Sequence, residues 1–487
     1  IVFNMSLISK KITNGVFFIG LSRYSNLIIQ LIISGILARL LTPQEFGIVA
    51  IVFVFVLFFN MLSNLGLEPA IVQSDKLNDN DLSNIFSLSV FLGLFFSIVF
   101  FMLANFIGDF YNEKRLVLVI RLLSIAIFFN TLIIVPKSLI RKSLAFKKLG
   151  LISVLVQSTS GIIAVILAYY NFSYFSLLAK SILDSLMLFT IFYTISPIKF
   201  KFNIEKKSIN KIFKFASFQF LFNFINYFSR NLDNLLIAKY FNVASLAIYD
   251  KSYRLVTLPT QNITHIITPV LLPVIAKYKN DKDKVFLQYL QIVKILAYIG
   301  FSLSIFLFFS ANELINIVFG SQWFESIPVF QLLALTVCLQ MLISSTGAIF
   351  QAMGRVDLLF FTGILVLVFM CSGIYYGIFI KHSLVSIGYG LIVAFSINFL
   401  IIFFTLIKIV LKSSFIRFIN TLLFPVFIAL CVGITLYYCS PLIEEKNMLL
   451  SLILKMILSI AIYFLIFCLS AKNRVSIKHI YIKYFNK

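Results

Sequence analysis

Apolar runs of about twenty or more residues recur from one end of this 487-residue chain to the other, and they leave few folds open. At 1.5 Å per residue, a helix of that length crosses the hydrocarbon core of a bilayer. Backbone polar groups in lipid must pair internally, which admits only helices or closed barrels. The runs lack the alternation of barrel strands, so helices are predicted. Charged residues make up 12% of the chain, against about 25% in soluble domains, so its exterior must face something other than water. The predicted fold class is an all-α, polytopic integral membrane protein of about fourteen spans.

Charges and Gly, Pro or Asn punctuation place the first seven spans at 13–38, 47–71, 83–108, 116–136, 150–169, 174–196 and 215–240. The rest fall at 249–275, 287–310, 328–350, 356–380, 384–408, 418–440 and 449–470, with short hairpins around Asn171 and His382. The net charge of +23 would point to nucleic acid in a soluble protein. Here it tests topology, because basic residues collect in cytoplasmic loops. With a cytoplasmic N-terminus, roughly 27 basic residues fall on the cytoplasmic side, roughly 6 on the other and roughly 8 within spans. A miscount of one span midway would scramble that asymmetry. A multi-pass membrane protein is expected, with both termini cytoplasmic and no nucleic-acid partner. The longest connectors, 137–149 and 197–214, are basic, and Lys137–Lys148 reads as an interfacial helix on an anionic leaflet. No small-residue cleavage site interrupts the first apolar run, so no cleaved signal peptide is expected.

The chain aligns with itself at an offset of 200 residues. Ile36-Leu-Ala-Arg39 falls on Leu236-Ile-Ala-Lys239, Gly47-Ile48 on Ala247-Ile248, and Pro69 on Pro269. Polar positions superpose too: Arg23 on Asn223, Asn26 on Asn226, Gln30 on Arg230, Ser34 on Asn234. Six spans separate the copies, so the repeat is parallel and implies a pseudo-two-fold axis along the membrane normal, with a substrate path between two lobes.

The superposed positions form stripes. Span 1 carries Ser22/Arg23, Asn26, Gln30 and Ser34, and span 7 carries Gln219, Asn223, Asn226, Arg230 and Asn234, with Asp233 beside them. Spacings of three and four put each set on one helical face. Two readings stay open for the amides: they bond helix to helix, or they line a cavity. Arg230 and Asp233 equally fit a structural ion pair. Arg23 lies roughly 15 Å inside its span, where snorkelling is hardest, so it is the first candidate for a functional cation and Arg230 the second. Such cations suit an anionic substrate group such as a phosphate. Arg121, Lys251, Arg254, Lys294 and Lys455 are close enough to helix ends to snorkel, and Lys180 has Asp184 one turn away, which favours a local pair. Pro259, Pro269 and Pro273 in span 8, with Gln261, Asn262 and His265 between them, point to a bent and partly hydrated helix.

Cys338, Cys371, Cys431, Cys439 and Cys468 show neither disulfide nor metal-site spacing, and His265, His382 and His479 are scattered. There is no Walker A loop and no large outward loop with paired carboxylates. No metal, cofactor or enzymatic activity is expected.

Ala38-Arg-Leu-Leu-Thr-Pro-Gln-Glu-Phe-Gly47 resembles the segment after the first span of polysaccharide-transporter flippases, the Wzx-like branch of the multidrug/oligosaccharidyl-lipid/polysaccharide (MOP) exporter superfamily. Leu65-Gly-Leu-Glu-Pro-Ala-Ile-Val-Gln73 looks like the end of their second span, and Arg230–Ala238 with Tyr249-Asp-Lys-Ser-Tyr-Arg254 like their seventh and eighth. The resemblance implies two six-helix lobes and two further helices: an N-lobe at 1–196, a basic cytoplasmic linker at 197–214, a C-lobe at 215–408, and two spans with a basic tail at 409–487. It implies alternating-access flipping of an undecaprenyl-diphosphate-linked oligosaccharide for O-antigen, capsule or exopolysaccharide synthesis. A central cationic cavity would hold Arg23, Arg230 and Arg254, lined by Asn26, Gln30, Gln219, Asn223, Asn226 and Asn234. Asp233 or Asp250 would carry any coupling ion. Implied partners are membrane lipid and glycan polymerase or chain-length proteins. Two rivals remain: a multidrug-type antiporter of the same superfamily, and a membrane glycan polymerase or ligase. The first should rely on acidic intramembrane residues and the second on a sizeable outer loop, neither of which stands out here.

Overall fold

The computed structural model describes residues 2–74, 77–143, 145–202, 205–276, 281–444 and 447–469; within helices, the side chains of 2–19, Asn226, Arg230 and 263–276, among others, fall outside that description. The described residues are helical, without strands, and divide into two compact units, Ile1–Ala247 and Ile248–Lys487.

Unit 1 holds α1 (Val2–Leu40), α2 (Pro43–Asn64), α3 (Leu67–Gln73), α4 (Asp79–Met102), α5 (Ala104–Phe110), α6 (Arg115–Leu132), α7 (Ile134–Lys142), α8 (Phe146–Tyr169), α9 (Phe175–Ile195) and α10 (Lys206–Tyr240). Here α1 packs on α8, α8 on α9, and α6 on α2, α4 and α9. The unit boundary falls early in α11 (Val243–Ala276). Unit 2 continues through α12 (Lys282–Phe309), α13 (Ala311–Val318), α14 (Ser326–Leu335), α15 (Val337–Ser344), α16 (Thr346–Ala352), α17 (Val356–Tyr375), α18 (Leu384–Phe404), α19 (Phe415–Glu444) and α20 (Met448–Leu469). Its centre is α12, packed on α14, α15, α19 and α20, while α17 pairs with α18.

Eleven described helical segments are long and apolar enough to cross a membrane, or twelve if the bent pair Ser326–Leu335 and Val337–Ala352, which meets at 44°, counts as one span. The chain is a multi-pass membrane protein. The expected fourteen is therefore approximate: α10 and α11 have the length, at 35 and 34 residues, but their polar side chains lower their apolarity. The predicted hairpins are present, with Asn171 and His382 in the left-handed region at φ of 61° and 49°.

The 200-residue repeat extends to backbone geometry. Helix α1 ends at Leu40 and α2 starts at Pro43, while α10 ends at Tyr240 and α11 starts at Val243. The Leu41 N–H donates to Leu37 O at 2.9 Å and the Phe241 N–H to Ile237 O at 3.0 Å. Phe46 N–H reaches Thr42 O, and Leu246 N–H reaches Asn242 O, both at 3.2 Å. Both N-caps follow the same logic, because a side-chain oxygen satisfies an orphan N–H of the first turn. Thr42 accepts from Glu45 N–H and Asn242 from Ser245 N–H, at 3.3 and 2.7 Å.

Two connectors differ from expectation. Lys137–Lys148 is not one interfacial helix: α7 continues the span that α6 begins, ends at Lys142, and α8 starts at Phe146. Its cations have partners, since Arg141 and Lys137 pair with Glu68 at 2.7 and 3.3 Å and Lys142 donates to Ser74 O at 2.5 Å. The stretch 197–214 is not all connector, because α10 starts at Lys206, and described residues on both sides of that start bond to α4. There Lys211 pairs with Asp81 at 2.6 Å, Asn84 donates to Ser208 at 3.0 Å, and Lys201 N–H donates to Ser87 Oγ at 2.7 Å.

Candidate functional site

Helix α1 exposes two different faces. At about 100° per residue, Leu21, Tyr24, Ile28, Ile32 and Ile36 cluster on one side, and all are exposed. Arg23 and Gln30, also exposed, fall roughly opposite. The apolar side suits hydrocarbon. Arg23 sits one turn inside the described span Gly20–Leu40, on the face away from that apolar side. Among the described residues Arg23 has no ion pair. Between the two faces, half-buried Asn26 donates to Ser153 of α8 at 3.2 Å, while its Oδ1 is buried without a hydrogen-bond partner among the described residues. Asn26 thus bonds helix to helix, whereas Arg23 and Gln30 remain open.

On α10, Gln219 donates to Asn223 Oδ1 at 3.1 Å, one turn along the same face. Asp233 is buried, and its carboxylate accepts the Asn234 N–H at 2.9 Å. The Asn234 side-chain oxygen is buried without a hydrogen-bond partner among the described residues. The Arg230 and Asn226 side chains lie outside the described residues, as does His265. Tyr227, absent from the predicted stripe, is buried and donates to Val54 O at 2.9 Å, tying α10 to α2.

At the start of α11, Arg254 pairs with Asp250 at 2.8 Å, with Arg254 open and Asp250 mostly covered. The local pair predicted for Lys180 and Asp184 is present at 2.7 Å, and Ser160 of α8 also bonds Asp184. Two lysines assigned to snorkelling do not snorkel. Lys251 is buried, its ammonium 5.0 Å from the Phe319 ring and 5.6 Å from the Trp323 ring. Lys455 is fully buried and pairs with Glu313 of α13 at 2.5 Å, also donating to Phe309 O at 2.9 Å. Helix-end position alone does not distinguish a free end from one covered by a neighbouring element.

The quoted motifs have structural work of their own. Thr42 and Glu45 form a reciprocal capping box, in which Glu45 accepts the Thr42 N–H at 2.7 Å and also binds Ser173 in the α8–α9 turn. A Cβ on Gly47 would overlap the Val243 carbonyl, so that close approach requires glycine. Glu68 anchors the two α7 cations described above. No cluster of His, Cys, Asp and Glu suited to a metal occurs among the described residues.

Residues 36–328, more than half of the chain, match the family described as "Polysaccharide biosynthesis protein". The teichuronic acid biosynthesis protein TuaB of Bacillus subtilis (strain 168) is 24% identical, the match covering 91% of this chain and 92% of that protein. The lipopolysaccharide biosynthesis protein WzxC of Escherichia coli (strain K12) is 25% identical over 81% of this chain and 80% of its own. Among solved structures, the lipid II flippase MurJ in an inward closed conformation superposes with a TM-score of 0.74 at 15% identity, covering 94% of this chain and all of that one. At that identity the likeness concerns the fold alone.

Proposed function

We propose, from the premise that the chain belongs to the polysaccharide biosynthesis protein family, that it is a flippase for a lipid-linked oligosaccharide. It is a transporter rather than an enzyme. The observation that carries the reading is the two-faced α1, which sets the exposed Arg23 and Gln30 opposite an apolar lipid-facing side. A saccharide needs hydrogen-bonding groups and its diphosphate link needs a cation, and this face offers both. The names of TuaB and WzxC, each tied to a surface glycan, point the same way.

In finer detail, the substrate is an undecaprenyl-diphosphate-linked oligosaccharide, taken from the cytoplasmic leaflet of the inner membrane to the outer leaflet by alternating access. Both termini are placed in the cytoplasm in this reading, which the basic loops support. The two lobes and the linker at 197–214 follow the boundaries read from the sequence, with 409–487 supplying the two added spans. Arg23, Arg230 and Arg254 form the cationic path. Asn26, Gln30, Gln219, Asn223, Asn226 and Asn234 line or brace it, and Asp233 or Asp250 handles a coupling ion. Polymerase and chain-length proteins receive the product.

Complementation of a strain lacking its own flippase tests this. Arg23→Ala should abolish surface-glycan export while the protein still inserts in the membrane, and Arg23→Lys should retain part of it. Full export by the double variant Arg23→Ala/Arg230→Ala would overturn the cationic path.

A further inference from the structure

Helix α8 carries a polar stripe of its own. Ser153, Gln157 and Ser160, spaced by four and three residues, share one face. Exposed Leu151, Leu155, Ile162 and Ile166 lie on the opposite face, which suits hydrocarbon. Two contacts set the register of α8 against α1: Asn26 donates to Ser153 at 3.2 Å, and a Cβ on Gly161 would lie 1.9 Å from Ile33 Cδ1. That register puts Gln30 level with Gln157, about 10 Å beyond Arg23 along α1. Ser160, at the far end of the stripe, bonds one oxygen of Asp184 on α9, and Lys180 donates to the other at 2.7 Å.

Two features separate the Lys180–Asp184 pair from a structural tie. Lys180 lies less than two turns from the start of α9 at Phe175, close enough to that end to snorkel, yet its ammonium turns to Asp184, one turn deeper. Asp184 itself is about 14 Å from that end, near the middle of a 21-residue span. The pair also stays open, with side chains 22% and 30% exposed. Lys455 and Glu313, which tie α20 to α13, are closed at 0% and 1%. Open charge at this depth is costly against lipid, so it faces water or a ligand.

We propose that Gln157, Lys180 and Asp184, with Gln30 level beside them, form a saccharide subsite that determines which glycan the protein accepts. A sugar hydroxyl both donates and accepts hydrogen bonds. Here a carboxylate accepts, an ammonium donates, and two amides do both. Asp184 repels an anion and Lys180 repels a cation, so the balanced pair selects a neutral, hydroxylated group. With the diphosphate at Arg23, the glycan extends along α1 toward this subsite. The inference rests on the flippase reading and deepens it, because it assigns glycan specificity to α8 and α9.

Export by the full chain in two flippase-deficient hosts, whose glycans differ in their sugars, tests it. Asp184→Ala should lower export of the better-transported glycan about tenfold and Gln157→Ala about threefold, at wild-type protein levels in the membrane. Both should change the ratio of export between the hosts, whereas Arg23→Ala should lower the two alike. An unchanged ratio in both variants would overturn the subsite. Lys180→Gln/Asp184→Asn strands no charge and should still export poorly, so wild-type export by it would show a merely structural pair and overturn the subsite too. Thiol labelling reads the open face without transport. In a chain whose five cysteines are replaced by serine, Gln157→Cys and Lys180→Cys should react with an anionic methanethiosulfonate at least about tenfold faster than Leu155→Cys on the lipid side. Equal rates at the three positions would overturn the proposal. Failure of the wild type to export in either host would remove the flippase reading and the subsite with it, whereas the other adverse results remove the subsite alone.

Discussion

Lys455 of α20 and Glu313 of α13 form an ion pair 2.5 Å apart, with side chains 0% and 1% exposed. Ser451, one turn before Lys455, donates to the same carboxylate at 2.6 Å. The last helix of unit 2 is thereby held to the corner after α12 by charge as well as by packing. Removing one member strands the other in a low-dielectric site, whereas removing both does not. Lys455→Met or Glu313→Leu alone should lower stability by about 3–5 kcal/mol, and Lys455→Met/Glu313→Leu by much less. Thermal unfolding of the purified variants in one detergent measures this. If the double variant lost as much as the sum of the singles, the two side chains would act independently and the pair would carry no coupling energy.

The junction between α1 and α2 gives a second expectation, with two graded substitutions. Thr42→Ala removes a cap oxygen from a reciprocal box and should cost about 1 kcal/mol. Gly47→Ala puts a methyl group against the Val243 carbonyl and should cost about 1–3 kcal/mol, with the backbone unable to yield freely. Steady-state level in membranes, together with unfolding temperature, should rank Gly47→Ala below Thr42→Ala. The reverse order would show that α2 and the start of α11 separate easily.

These contacts mark what the sequence could and could not reveal. The 200-residue offset was legible because cap, loop and helix lengths repeat along the chain, and Thr42 and Asn242 occupy equivalent cap positions. The stripe on α1 was legible because Arg23 and Gln30 share a helical face. Spacing did not say which stripe members are used internally, so Asn26 bonded to Ser153 looked the same as open Gln30. Contacts across long separations were invisible: Glu313 with Lys455, Glu68 with Arg141, and Lys251 under Phe319 and Trp323. Periodicity describes one element at a time, and each of these depends on which elements become neighbours.

Arg254 differs from Arg23 in having Asp250 at 2.8 Å, and the exposed guanidinium makes that pair worth only about 0–1 kcal/mol of stability. Its effect on an anionic substrate is a separate matter. Arg254→Ala leaves Asp250 uncompensated and repulsive toward a diphosphate, so export should fall. Asp250→Asn added to that variant should restore only part of it, because the guanidinium is still missing from the cationic path, while unfolding temperature stays nearly constant. If the double variant exports no better than Arg254→Ala, the arginine acts by direct contact with substrate.

The start of α4 gives the last expectation. Asp81 accepts the Asn78 N–H at 3.0 Å, completing a capping box, and pairs with Lys211 at 2.6 Å while only 4% of its side chain is exposed. One carboxylate therefore both caps α4 and ties the start of α10, next to the connector after α9, to it. Lys211 is about one-third exposed, so water can take over its hydration when the partner is lost. The two substitutions should be unequal: Asp81→Ala should cost about 2–3 kcal/mol, and Lys211→Ala about 1 kcal/mol or less. In the proposed orientation, trypsin added to inside-out vesicles supplies a local readout, because Lys199 and Lys201 lie in the connector between α9 and α10. Cleavage there should be faster in Asp81→Ala than in the wild type, with Lys211→Ala between them. Equal cleavage in all three would mean that Asn84 and Ser87 hold the connector without help from the ion pair.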